Sequence, residues 1–243
     1  DAAGKFKEET IMVVQHNLTA MNSNRMLNLT VQTQSKSTEK LSSGYKVNRA
    51  ADDAAGLAIS EKMRRQIRGL TQASANAEDG ISCVQTAEGA LNEVHDMLQR
   101  INELAVKGEN GTLTSKDRGY IASEVQQLMS EIDRVQSTTT FNEQSLLNGD
   151  FSGGVGLQVG AEANQHITIS IKNMNVATVF SADTTTIGTF RGAGDVSSVN
   201  FASLNQVTKN ALQVVSSQRS DLGAVQNRLE HTYRNVTNTA ENT

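Results

Sequence analysis

A seven-residue repeat runs through residues 63–105 without a failure. Met63, Leu70, Ala77, Val84, Leu91, Leu98 and Ala105 are all apolar and each comes at the same interval after the last. An apolar residue every seven positions keeps one stripe of a helix facing a partner helix along its whole length. Roughly 50 residues at about 1.5 Å rise make a rod of about 75 Å. The interleaved positions Ile67, Ser74, Ile81, Glu88 and His95 turn polar toward the end of the segment. Gly69, Gly80 and Gly89 lie inside it, and the repeat stays in phase across all three. That predicts close backbone packing instead of helix breaks. No proline occurs anywhere in the 243 residues, so no backbone donor is missing from a long helix. Six Phe, three Tyr and no Trp leave a core of small aliphatic side chains.

The rest of the chain falls into place around this rod. Residues 1–11 are polar and differ in character from the segment after them, and Met12 reads as a natural start preceded by a leader remnant. Val14, Leu18 and Met21 begin a weakly patterned terminal helix over residues 12–44. Residues 45–56 read as a connector, with Asp52 or Asp53 available to cap the long helix, predicted over 57–107. Gly108-Glu-Asn-Gly111 ends that helix, and Thr114 with Asp117 forms a capping box for a second helix over 115–137. Ile121, Val125, Leu128, Ile132 and Val135 carry its apolar face. From residue 140 to 180 the period changes. Val155, Leu157 and Val159, then Ile167, Ile169 and Ile171, alternate as the arms of a β-hairpin. Residues 181–200 read as a loop rich in Gly, Ser and Thr. Ser203 and Gln206 then open a return helix over 203–238, with Leu204, Ala211, Val215, Leu222, Val225, Leu229 and Val236 on heptad lines. The expected fold is mainly α: an elongated antiparallel helical rod or coiled-coil bundle with a small β-hairpin region. Its packing core is Met63, Leu70, Ala77, Val84, Leu91, Leu98, Leu222, Val225 and Leu229.

Templates for catalysis find no match. His16, His95, His166 and His231 are scattered, with no pair at metal-ligand spacing. Gly153-Gly-Val-Gly156 leads into a strand and lacks the Gly-Lys-Ser/Thr of a phosphate loop. Cys83, the one cysteine, rules out an internal disulfide and reads as a small buried apolar residue. The expectation is no enzyme, no cofactor and no metal. With 22 Lys and Arg against 26 Asp and Glu and no basic run, neither nucleic acid nor a membrane surface is an expected partner. Near the end of the long helix, Arg100, Glu103 and Leu104, with Glu124 on the second helix, read as a solvated charged face carrying one leucine.

Leu41–Ser60 (LSSGYKVNRAADDAAGLAIS), Gly69–Ser82, Gln85–Val94, Leu98–Lys107 and Glu131–Val135 are similar to the N-terminal conserved region of the bacterial flagellins, and Asp221–Thr232 (DLGAVQNRLEHT) is similar to their C-terminal one. The resemblance implies a self-assembling filament subunit whose partners are other flagellin subunits, placed outside the cell through the flagellar type III export route. Similar terminal regions occur in hook–filament junction proteins, which are the alternative. It also implies a ligand for the ectodomain of Toll-like receptor 5, with Arg100, Leu104 and Glu124 matching the central contacts and Glu103 beside them. Glu39–Ser60 is similar to the epitope sensed by plant flagellin receptors. Relative to the family, the middle is short, and a C-terminal inner-core helix is expected to be missing after Thr243. Without that helix, binding of the export chaperone is not expected.

Overall fold

The computed structural model describes residues 18–180, 188 and 200–243. The leader at 1–11, Val14 and nearly all of the loop at 181–200 lie outside the described residues. The chain divides into two compact units, Asp1–Lys62 and Met63–Thr243.

In the first unit, α1 spans Leu18–Ser43 and buries none of its residues. The hydroxyls of Thr30, Thr33 and Ser37 donate back to the carbonyls of Met26, Leu29 and Thr33 at 2.9–3.0 Å, so these polar side chains satisfy themselves on the helix. Gly44 ends it in the left-handed region (φ 72°), its N–H donating to the Lys40 carbonyl. The connector is folded. Asn48 Nδ2 donates to the Ser43 hydroxyl (2.7 Å) and the Glu39 carbonyl (3.3 Å), and Arg49 Nε to Glu39 Oε1 (3.0 Å). The two adjacent aspartates divide their work. Asp52 accepts from the backbone of Arg49 and Asn48, which holds its carboxyl below the usual range, while Asp53 accepts from Gly56 N (2.8 Å) at the start of the next helix.

That helix, α2, runs unbroken over Ala54–Glu109, three residues earlier and two later than the expected 57–107. In the second unit all its buried positions except Cys83 and Leu104 form two lines, both at intervals of seven. One is Leu70, Ala77, Val84, Leu91, Leu98 and Ala105; the other is Ala73, Gly80, Ala87, Val94, Ile101 and Gly108. The second line replaces the expected Ile67–His95 line. Four of its six residues, Ala73, Gly80, Ala87 and Gly108, are small, so at these places the line carries little hydropathy signal and its glycines let neighbours approach closely. A Cβ at Gly69 would stand 2.9 Å from Ala161 Cβ, and one at Gly80 would collide with the Leu157 side chain. Gly89 departs from the expectation, because nothing lies within 4 Å of its missing Cβ.

Helix α3 (Ser115–Thr138) carries the capping box, with both reciprocal Thr114–Asp117 bonds present. Two small antiparallel hairpins come next. Strands β1 (Thr140–Phe141) and β2 (Gln144–Ser145) are joined by Asn142 and Glu143, both at positive φ, as a two-residue primed turn requires. After a 3₁₀ turn (Asp150–Gly153), β3 (Val155–Gln158) pairs with β4 (His166–Ile169) in the register Val155–Ile169 to Gln158–His166. Ile167, Ile169 and Ile171 point inward. A single turn, α4 (Val176–Val179), precedes the return helix α5 (Phe201–Asn242). Helix α5 starts two residues earlier than expected because Asn200, and not Ser203, caps it, accepting from the amides of Ala202 and Ser203.

Within this unit α5 runs antiparallel to α2. Ser74 meets Thr237 at 3.3 Å, Gly80 lies by Leu229, Glu88 pairs with Arg219 at 3.7 Å, and Gly108 lies by Phe201. One main core joins α2, α3, the hairpins, α4 and α5, and a small satellite of Leu70, Ala73 and Val236 continues it. Two buried polar groups are answered. The amide of Gln218 donates to the Ser170 carbonyl (2.9 Å) and accepts from Lys172 N (3.4 Å), and the Thr208 hydroxyl donates to the Leu204 carbonyl.

Candidate functional site

The charged face is built from two helices of the second unit. Arg100 is on α2, Glu103 is one turn on, and Glu124 projects from α3. The guanidinium donates to Glu124 Oε1 through Nε (3.1 Å) and Nη2 (2.9 Å), and to Glu103 Oε2 through Nη1 (3.0 Å). The bond to Glu124 is the chief cause that holds Arg100 protonated beyond its ordinary range, with Glu103 second. All three side chains remain about half open or more, at 51%, 67% and 45% exposure. Such a bridge adds little to stability in water, but it fixes the fork of donors in one orientation.

Leu104 is not part of that surface. It is 2% exposed and belongs to the same buried cluster as Ile121, Ala122 and Val125 of α3. The expectation of an exposed apolar anchor at this position is corrected: Leu104 stands three residues after Ile101 on the core-facing side and belongs to the main core. The exposed apolar residues nearby are Val106 on α2 and Tyr120 on α3. Arg100 pairs with Glu124, and Arg118 Nη2 reaches the Asn110 carbonyl (3.3 Å), so Val106 and Tyr120 fall at one level between these two links. The sequence hid them because single surface apolars are ordinary.

Of the predicted packing residues, Leu70, Ala77, Val84, Leu91, Leu98, Leu222 and Leu229 are buried and Val225 is half-buried against the core. Met63 is 45% exposed, which corrects its place in that set. The groove where α2 and α5 meet at this end reaches Ile67 on α2 and Glu241 on α5, and Met63 lies a turn before it. A second apolar surface belongs to the first unit. On α1, Leu18, Met21, Met26, Leu27, Leu29 and Val31 are all more than half exposed. Leu18, Met21 and Leu29 share one face, and Leu27 and Val31 fall on the opposite one.

Chemistry of other kinds finds little material. Cys83 is buried, and desolvation pushes its thiol up, away from the reactive thiolate. Among the described residues no group of three or more His, Cys, Asp or Glu is placed to hold a metal ion, and no helix is long and apolar enough to cross a membrane.

Comparison with known proteins gives this architecture its place. Residues 14–152 match the model of the bacterial flagellin N-terminal helical region, and residues 205–243 match that of the C-terminal helical region. The second match corrects the expectation about the C-terminus: the family's C-terminal helical region is represented here, within α5. The flagellin of Halalkalibacterium halodurans is 48% identical over 95% of this chain and 82% of its own length. The flagellin of Bacillus subtilis is 42% identical over 95% and 84%. A flagellar filament core protein of Treponema maltophilum is 43% identical over 96% and 83%. In fold, the chain resembles the crystal structure of Bacillus cereus flagellin with a TM-score of 0.53, covering 70% of this chain and 95% of that one at 24% identity. With both terminal regions matched and relatives of this identity aligned over at least 95% of it, the chain belongs to the bacterial flagellin family.

Proposed function

We propose that this flagellin is a structural subunit of the bacterial flagellar filament, placed outside the cell and joined to other copies through its helices. The observation that carries the reading is α1. A 26-residue helix with no buried residue and large apolar side chains on opposite faces needs neighbours on more than one side. Open helical assembly supplies them, since each copy meets the next through non-closing contacts. The alternative of a hook–filament junction protein has less behind it, because both matching family models are of flagellin regions and the relatives above are two flagellins and a flagellar filament core protein. The test is co-assembly. Labelled chain added to sheared flagellin filaments under salting-out conditions should pellet with them, and a Met21→Asp, Leu29→Asp double variant should remain in the supernatant. Wild-type chain that never pellets would overturn the reading.

A second reading concerns the Arg100 face. The resemblance to the receptor-binding segment of flagellins, and an exposed, orientation-fixed guanidinium between two carboxylates, support recognition by the Toll-like receptor 5 ectodomain. In this reading Val106 and Tyr120 supply the apolar contact, and Leu104 acts from beneath. Ectodomain binding should weaken at least tenfold in Arg100→Ala, about 1.4 kcal/mol of binding free energy. Equal binding by the variant would remove this face from the interface.

A further inference from the structure

We propose that Asn110–Gly111, in the turn between α2 and α3, is a site of spontaneous deamidation through a cyclic imide. The reaction needs three things: a free backbone N–H after the asparagine, an electrophilic carboxamide beside it, and a departing amide nitrogen that nothing holds. The turn supplies all three. Gly111 is exposed, nothing lies within 4 Å of where its Cβ would be, and its N–H donates no hydrogen bond among the described residues. Asn110 Oδ1 accepts from Thr112 N at 3.1 Å. That bond polarises the carboxamide carbonyl and holds it over the peptide that must attack it. Asn110 Nδ2 has no partner among the described residues.

The step balances with water as the only co-reactant. Gly111 N gives up its proton and bonds to Asn110 Cγ; the Cγ–Nδ2 bond breaks and ammonia leaves, closing a five-membered imide. Water then opens either carbonyl, giving an aspartate or an isoaspartate at 110. The new carboxylate arises in the turn that Arg118 already reaches, where Arg118 Nη2 donates to the Asn110 carbonyl and Nε is buried without a partner. The product therefore has a cation beside it.

The molecule contains its own control. Asn148–Gly149 is the other Asn–Gly pair in the sequence. There the carboxamide is held at both ends, Oδ1 by Asp150 N (2.9 Å) and Nδ2 by Asp150 Oδ2 (2.5 Å), and Gly149 is fixed at φ 99° with Asn173 against it. Its leaving nitrogen is not free.

The experiment is peptide mapping by mass spectrometry after incubating the chain at mildly alkaline pH in ¹⁸O-labelled water. Trypsin releases Asn110 in the peptide Gly108–Lys116. In the folded chain, conversion at Asn110 should exceed that at Asn148 by roughly an order of magnitude, with one labelled oxygen gained and a separate isoaspartate peak. In strong denaturant the two rates should converge. Gly111→Ala, which meets no neighbour, should slow the Asn110 reaction by roughly an order of magnitude because a side chain crowds the attacking nitrogen. Equal rates at the two sites in the folded chain, or an unchanged rate in Gly111→Ala with an unaltered helical spectrum, would overturn the proposal.

Discussion

Phe201, the first residue of α5, lays its ring directly against the backbone of Gly108 on α2. A Cβ at residue 108 would stand 2.5 Å from Phe201 Cε1 and 2.7 Å from Cγ. This contact fixes how closely the return helix approaches the end of the long one.

It leads to a prediction with opposite signs at two glycines of the same helix. Gly108→Ala must push aside a buried ring, so it should destabilise by about 1–3 kcal/mol despite the better helix former. At Gly89 nothing lies within 4 Å, so Gly89→Ala should stabilise by about 0.5–1 kcal/mol. Urea titration of the two variants checks both, and a shared sign would show that close packing does not decide these positions.

Burial and surface roles separate at Leu104 and Arg100. Leu104→Ala should cost about 2–5 kcal/mol, as a large-to-small change in a filled core does. Arg100→Ala should leave thermal unfolding nearly unchanged, because its bridge is exposed. If Leu104→Ala melted like the wild type, the residue would belong on the surface after all.

The capping box gives a pH dependence whose sign is fixed. The Thr114 hydroxyl (2.6 Å) and backbone N–H hold the Asp117 carboxyl below its usual range. A carboxyl lower in the folded chain than in the unfolded one contributes fully above the ordinary aspartate range. That contribution is lost as pH falls through the folded value. Thr114→Ala should cost about 1 kcal/mol at neutral pH. Its deficit should shrink in acid but not vanish, since Thr114 Oγ1 also accepts from the Asp117 amide. A deficit that stayed constant down to acid pH would count against the carboxylate's part in the box.

Gln218 offers a test of the buried polar clasp between α5 and the segment after β4. Gln218→Leu leaves the Ser170 carbonyl without its donor, and should cost about 1–3 kcal/mol. Hydrogen exchange at the Lys172 amide should accelerate, because its acceptor is also gone. Unchanged exchange there would mean that the 3.4 Å contact to Gln218 Oε1 does not protect it.

The sequence by itself determined the features that depend on neighbours along the chain. The line from Leu70 to Ala105 is legible because every residue at its seven-residue interval is apolar. The Thr114–Asp117 box and the hairpin of β3 and β4 are legible because caps and alternation are local patterns. The packing between helices was decided only in three dimensions. The line Ala73, Gly80, Ala87, Val94, Ile101 and Gly108 is interrupted by two glycines, and the missing side chains at Gly80 and Gly108 have meaning only once Leu157 and Phe201 come to fill the space. Leu104 reads as exposed or buried with equal ease until it joins the core that α2 shares with α3 and α5, and Met63, which reads as core, is 45% exposed. Hydrophobic burial belongs to a pair of surfaces, and one chain segment carries only one of the two.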